Sequence, residues 1–399
     1  MTVPTPLPRV LRPRRAAPAD AVRPTRAEVN LEALRHNLRV VKRHAAGARV
    51  WAVLKADGYG HGAPAVARTL ERAGADGFCV ALLEEGIELR EAGIAAPILI
   101  MGGYYGDAHE EVLARELVPV VYNLGQVEAF ARVVRSGAVS GPVDVHLKID
   151  TGMARLGVTL QALPSFAARL TDFPEVRVSG LMTHLACADA ASAAEDAEQM
   201  RRFEDATALL ARAGVYVLVR HAANSAALLR GDALLDAVRP GVALFGVHPG
   251  PAHAGGHEAL GLRPVMRVRS EVIDLRDIED GAYVGYGALW RASRPSRIAT
   301  IPMGYADGLS RHLTNRGHVL IRGARAPIVG AVSMDMTMVD VTDLTGITLR
   351  DEAVVLGPQE GALGKDCIHA DEIAAHAGTI AWEVLTSVSR RVPRFYREP

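Results

Sequence analysis

Val50-Trp51-Ala52-Val53-Leu54-Lys55-Ala56-Asp57-Gly58-Tyr59-Gly60-His61-Gly62 is the stretch from which the rest of the chain can be read. Its first five residues are apolar on both faces of any strand they form, and a strand of that kind belongs in a sheet covered on both sides. A polar, glycine-rich turn follows. Ala63–Ala73 then carries apolar residues at three- and four-residue spacing, the mark of an amphipathic helix. The same texture recurs downstream. Apolar runs lie at Val50–Leu54, Gly77–Ala81, Pro97–Met101, Val118–Val121, Val143–Ile149, Val178–Met182, Val215–Val219 and Val242–Phe245. Helical patterns separate them, as at Ala108–Glu116, Gln126–Val134 and Asp196–Ala213. Eight strand–helix units in about 200 residues fit a closed (β/α)8 TIM-type barrel. A doubly wound open sheet is the competing architecture, but no Gly-x-Gly-x-x-Gly follows the first strand.

Beyond Gly261 the texture changes. Met266–Leu275, Arg297–Pro302, His318–Ile321, Ile328–Val332, Thr337–Val341 and Ala353–Leu356 read as short strands broken by Gly, Pro and Asp, with one helical stretch near Asp371–Ala377. The spacing predicts an α/β barrel over residues 26–257, a linker at Pro251–Gly256, and a smaller, mainly β domain over 258–399. A chain of 399 residues is long enough for two such cores. Residues 1–25 hold six prolines and several arginines, and read as a disordered extension rather than a transit peptide.

Composition excludes several classes. Lys plus Arg and Asp plus Glu each number 45, so there is no basic excess to suggest a nucleic-acid partner. Three cysteines without CxxC spacing suit a reducing cytoplasm, and no apolar run approaches the ~18 residues of a membrane span. No metal-ligand spacing stands out. Only four of the 45 cationic residues are lysines: Lys42, Lys55, Lys148 and Lys365. Each scarce lysine therefore has to be accounted for.

Barrel enzymes place their chemistry at the C-terminal strand ends. Strand one ends at Lys55; strand five ends in His146-Leu147-Lys148-Ile149-Asp150-Thr151-Gly152-Met153-Ala154-Arg155. Strand six ends in Thr183-His184 and strand seven in His221-Ala222-Ala223-Asn224-Ser225; Arg239-Pro240-Gly241 enters strand eight. Taken singly, each has an ordinary explanation. A lysine after an apolar strand is usually solvated, His184 could be a satisfied core histidine, and Arg239 a structural ion-pair partner. Together they converge on one mouth, where a desolvated Lys55 amine could form a Schiff base.

These residues resemble the pyridoxal-phosphate-dependent alanine racemases of the fold-type III barrel group. The resemblance rests on Lys55–Gly62, the Lys148–Gly157 segment, Thr183-His184, Asn224-Ser225 and Arg239-Pro240-Gly241. In the second domain it rests on Tyr283-Val284-Gly285-Tyr286-Gly287, Gly304-Tyr305-Ala306-Asp307-Gly308, Ser333-Met334-Asp335 and Arg391-Val392-Pro393-Arg394. It implies interconversion of L- and D-alanine, with D-alanine supplied to cell-wall peptidoglycan. Lys55 would carry the cofactor and serve as the base on the D-alanine face. Tyr286 would serve the L-alanine face from the partner subunit of a homodimer with shared active sites. A free phenol has a pKa near 10, so that role needs cations nearby.

The resemblance also assigns binding roles. Tyr59, Asn224, Ser225, Gly241, Val242 and Tyr305 would hold the cofactor, with His184 against its ring, His221 behind it and Arg239 facing its pyridine nitrogen. Arg155, Met334 and Asp335 would bind substrate. Lys148 would be carbamylated, which turns a cation into an anion able to fix Arg155. Two positions depart from the pattern: Arg390 stands where many relatives have tyrosine, and Ala331 where an arginine is common. Arg311, after the Tyr305 motif, is present. A broad-specificity or serine racemase is the near alternative. A non-catalytic pyridoxal-phosphate-binding protein would not need the second domain, and a basic amino-acid decarboxylase would need a catalytic cysteine motif there.

Overall fold

The computed structural model describes residues 21–189, 194–250 and 260–398. Eight parallel strands form the barrel: Arg49–Val53, Gly77–Leu82, Ile98–Gly103, Val118–Val121, Val143–Asp150, Val176–Met182, Val219–His221 and Ala237–Val238. Neighbours pair in chain order, and Ala237–Val238 returns to Arg49 and Val50, which closes the ring. Both faces of the strands are covered, as the two-sided apolar runs require: Phe78, Val80, Leu99, Val120, Leu147 and Leu181 are buried. Helices coat the outside. Leu31–His44 buries Leu31, Leu34, Leu38 and Val41 along one stripe, and the Asn30 side chain caps it by accepting from Ala33 N at 2.9 Å.

Two barrel strands differ from their predicted places. Strand seven is Val219–His221 rather than Val215–Val219, because Tyr216 and Leu218 turn out to solvent and leave that run without an apolar outer face. Strand eight is Ala237–Val238, and Val242–Phe245 instead forms a 3-10 turn. Gly241 sits at φ −117, ψ −91, and Pro240 offers only its carbonyl, which accepts from Val53 N at 2.8 Å. Arg239 therefore leaves strand eight rather than entering it. That change moves Arg239 to the end of the barrel where the chemistry sits.

The second domain holds a mixed sheet whose central path runs Ala324–Pro327, His318–Ile321, Glu352–Gly361, Met266–Glu271, Arg26–Asn30 and Arg394–Arg397. Arg26–Asn30 pairs antiparallel to Met266–Glu271 and parallel to Arg394–Arg397, so the first five residues expected in the barrel belong to this sheet. A three-stranded sheet adds Asp274–Ile278, Ser296–Ile301 and Thr337–Asp340. Ile328–Val332, expected as a strand, contributes one bridge, between Ile328 and Val339. Two helices, Ala370–Ala377 and Ala381–Ser387, appear where one was expected.

Arg23 and Thr25, expected within the disordered extension, are held against the second domain. Thr25 is fully buried and its hydroxyl bonds Ser270 Oγ and Pro302 O, while Arg23 grips the buried carboxylate of Asp307 with two nitrogens. The linker at 251–256 and residues 1–20 lie outside the described residues. Among the described residues no helix is long and apolar enough to cross a membrane.

Candidate active site

Lys55 stands at the end of strand one and opens a short left-handed turn. Ala56, Asp57, Gly58 and Tyr59 have φ of 52, 58, 60 and 52. Such backbone costs an ordinary L-residue roughly 1–2 kcal/mol, so several interactions must hold it. Glu85 accepts from Ala56 N at 2.6 Å through one oxygen and from Ala81 N and Leu82 N through the other. Asp57 accepts from Ala63 N at 2.9 Å. His61 Nδ1 faces the carbonyls of Gly58 and Tyr59 at 3.0 and 2.9 Å, so Nδ1 carries the proton. From the second domain, Arg394 donates to Gly60 O at 2.9 Å. A Cβ on Gly60 would stand 2.4 Å from Leu385 O, so the close approach of the two domains requires glycine there.

The turn leads into a cavity of about 390 Å³. Its walls include Lys55, Tyr59, Arg155, His184, Asn224, Ser225, Arg239, Gly241 and Val242. The structure thus brings nine sequence-predicted residues together. Met101, Ile380 and Trp382 also line it, and no motif had singled them out.

One corner is built for a small anion. Asn224 caps the helix Ser225–Arg230, accepting from Ala226 N and Ala227 N at 3.0 and 3.1 Å. Tyr59 is buried, which raises the pKa of its phenol and keeps it a neutral donor. A Cβ on Gly241 would lie 2.3 Å from Tyr59 Oη, so glycine alone admits the phenol. The Gly241 amide, expected as a phosphate donor, is committed elsewhere: it donates to Ser225 Oγ at 2.9 Å. Gly241 therefore serves by leaving room. This corner, with an amine and a buried guanidinium on the same walls, fits the size and charge of pyridoxal phosphate.

Arg239 is locked from behind. Its Nη2 donates to Thr183 O at 2.7 Å and Ala222 O at 2.9 Å, and its Nη1 meets His221 Nδ1 at 2.6 Å. A guanidinium only donates, so His221 Nδ1 is the acceptor and its proton sits on Nε2. That nitrogen in turn donates to His146 Nδ1 at 2.8 Å. Trp51 packs against both rings at 5.2 and 5.1 Å. Burial, then Arg239, holds His146 and His184 near about 3 and His221 well below its ordinary value. All three are neutral at pH 7. Burial brings Arg239 down only to about 10, so it stays charged.

The amines behave differently. Burial, then Arg155, lowers the Lys55 pKa below the usual ammonium range. Lys148 is buried beside the cavity wall, and burial, Arg155 and Arg239 bring it to about 8. Arg155 itself makes no hydrogen bond or ion pair with any described residue, while Asp150 shapes its turn by accepting from Gly152 N and Ala154 N. The turn thus leaves that guanidinium for a ligand.

The second-domain residues form a separate face. Tyr286 opens a 3-10 turn after Gly285, whose φ of +73 requires glycine. Gly304–Gly308 is zipped to Ser333 and Met334 through Tyr305 N→Ser333 O and Ala306 N→Met334 O, both 3.0 Å. Arg391 pairs with Asp335 at 2.7 Å. Tyr286, Tyr305 and Met334 are 74%, 42% and 52% exposed, and none lines the cavity of its own chain. Arg390 is exposed and also lies off the cavity.

Glu85, Gln199 and Trp51 are supports that sequence reasoning missed. Gln199 ties Thr151 to His184 O at 3.0 and 3.1 Å. Glu85 had a readable signal, an acid just past strand two, at the same barrel end as Lys55.

Comparison with known proteins follows the same division. The alanine racemase N-terminal domain model matches residues 29–249, and the C-terminal domain model matches 265–396. An alanine racemase of Sorangium cellulosum is 61% identical over 385 residues, covering 95% of this chain and all of that one. One from Geobacter sulfurreducens is 41% identical, covering 94% and 98%. Among solved structures, alanine racemase from D-cycloserine-producing Streptomyces lavendulae superposes with a TM-score of 0.89 at 31% identity, covering 95% and 98%.

Proposed function

The chain belongs to the alanine racemase family, and from that premise we propose how its own side chains interconvert L-alanine and D-alanine. The family depends on pyridoxal phosphate, which when bound supplies an electron sink that makes the substrate Cα proton removable. Tyr59, Asn224, Ser225 and the backbone at Val242 would hold its phosphate. Arg239, staying protonated, would bind its ring nitrogen and leave it without a proton, which would favour simple proton return over other outcomes. Arg155 takes the substrate carboxylate in a charge-assisted pair. Racemisation then needs a proton carrier on each face of Cα. Lys55 Nζ takes the proton of D-alanine while Tyr286 Oη delivers one to the opposite face, and the roles reverse for L-alanine. The observation that carries this reading is the convergence of Lys55, Arg155, Arg239 and the anion corner on one 390 Å³ cavity.

Tyr286 comes from a partner in this reading, because its own cavity excludes it while it stands exposed on a built face. The assembly is a homodimer in which each second domain completes the other's site, with Tyr305, Met334 and Asp335 beside Tyr286. D-alanine for peptidoglycan, made in the cytoplasm, is the use that suits this activity. The test mixes two inactive variants, Lys55→Ala and Tyr286→Phe, with reversible dissociation. Sites completed in trans give each mixed dimer one intact site, so about a quarter of wild-type activity returns at equal mixing. No recovery from well-folded mixed dimers would place both bases in one chain. No D-alanine from the wild-type holoenzyme and L-alanine would sink the racemase reading itself.

A further inference from the structure

The second domain carries a cluster that the chemistry above does not use. His318 opens the strand His318–Ile321, and Glu372 and His376 stand four residues apart on the helix Ala370–Ala377. A spacing of four puts both side chains on one face of a helix, one turn apart, and that face looks onto His318. One donor atom from each of the three lies within 4.8 Å of the other two. The imidazoles of His318 and His376 are 6.0 Å apart between centroids.

We propose that His318, Glu372 and His376 bind one divalent cation of the zinc class, as a structural clamp between that strand and that helix. Four further observations support it. His318 Nδ1 is out of contact with solvent and has no hydrogen-bond partner, an arrangement that costs free energy unless a ligand supplies one. Two imidazoles and a carboxylate are the donor set of a borderline-soft metal, with the fourth tetrahedral place left to water. Glu372 is held through both oxygens by Arg325, whose guanidinium also takes Asp366. A carboxylate so fixed keeps lone pairs for a metal, in the way outer donors orient metal-binding carboxylates. Arg325, Glu372 and Asp366 together leave one negative charge, so the guanidinium does not by itself repel a dication.

Geometry agrees with this. Metal–ligand bonds of about 2.0–2.2 Å set tetrahedral donors roughly 3.3 Å apart, so closing from within 4.8 Å takes side-chain adjustment without backbone movement. The helix ends at Gly378, with φ +71, and the chain then turns into Ile380 and Trp382 on the active-site wall. Clamping the helix from outside therefore fixes a corner whose inner side lines the cavity. The clamp holds structure and takes no part in proton transfer.

The test uses tag-free holoenzyme stripped with chelator, loaded with zinc chloride, and passed through a desalting column. Wild type retains about one zinc per chain more than His376→Gln or His318→Gln, and both variants bind at least roughly ten-fold more weakly in a competition titration. Zinc raises the Tm of wild type and leaves that of His376→Gln unmoved, while metal-free racemisation is the same in both. Equal retention by wild type and His376→Gln, or none by wild type, overturns the proposal. Should His318→Gln fail to fold, the more peripheral His376→Gln decides alone.

Discussion

The barrel cavity and the second-domain face carry the two proposed bases but are built in opposite ways. In the cavity the functional groups are braced by their own chain: Arg239 by two carbonyls and His221, Lys55 by a strained turn that Glu85, Asp57, His61 and Arg394 hold, and Arg155 by the turn that Asp150 shapes. On the second-domain face Tyr286, Tyr305 and Met334 stand in solvent, although the backbone beneath them is zipped and ion-paired. The difference teaches where the energy of pre-organisation lies. One half of the site is paid for by folding of a single chain, whereas in the proposed homodimer the other is a shaped surface whose environment would come from association.

The sharpest way to break this comparison is to remove one base from each half. Lys55→Ala and Tyr286→Phe should each lower kcat for both directions by about 10²–10⁴, since every turnover uses both bases. Their spectra should differ. Lys55→Ala loses the absorbance of a covalently held cofactor, while Tyr286→Phe retains it in full. If Tyr286→Phe also sheds cofactor, the two regions are not separable, and the exposed face supports the cavity in the same chain.

A smaller effect should come from Arg155. Arg155→Met removes the guanidinium that no described residue engages and should raise KM for alanine by roughly ten- to a hundred-fold, with cofactor absorbance unchanged. An unchanged KM would assign substrate carboxylate binding elsewhere. Lys148 sharpens the same point. Two cations side by side repel, and an amine with a pKa of about 8 is neutral often enough near pH 7–8 to react with carbon dioxide. Native mass spectrometry should find one added carbon dioxide at Lys148, and bicarbonate should raise the activity of depleted enzyme several-fold. A plain ammonium at Lys148, with no bicarbonate response, would leave Arg155 held by its turn alone.

The two regions were also unequally legible in the sequence. Residues at strand ends could be read because apolar runs announce where strands stop, and Lys55 and His184 follow such runs closely. The eighth strand hid itself: Ala237–Val238 is two residues long, and the longer apolar run beside it, Val242–Phe245, is a turn packed in the core. Arg26–Asn30 could not be assigned from local pattern, since its partners Met266–Glu271 and Arg394–Arg397 lie more than 200 residues away along the chain. The second-domain face carried motifs but no periodicity that would reveal its exposure. Gln199 and Trp51 act on backbone and rings rather than on ligands, and no spacing rule marks such groups.

The smallest effect separates the regions by pH. His146 and His184, at about 3, and His221, well below 6.5, stay neutral in the folded cavity, whereas an unfolded histidine takes up a proton near 6.5. Between those values the unfolded chain binds more protons than the folded one, so stability falls as pH drops below about 6.5 and keeps falling towards 3. Carboxylates act in the same direction but in a lower window. Glu32 and Glu198, each held to about 2 by arginine hydrogen bonds, lose their contribution only as pH passes below the ordinary glutamate value of 4.5. The interval from pH 6.5 to 4.5 therefore reports the histidines held below their ordinary value, those of the barrel together with His318 of the second domain. Tm of the wild-type enzyme should decline across it by a few degrees, and His146→Gln, less stable at pH 7.5, should decline less steeply. Equal slopes for wild type and His146→Gln would show that the buried chain from Arg239 through His221 to His146 is not what makes the cavity acid-sensitive.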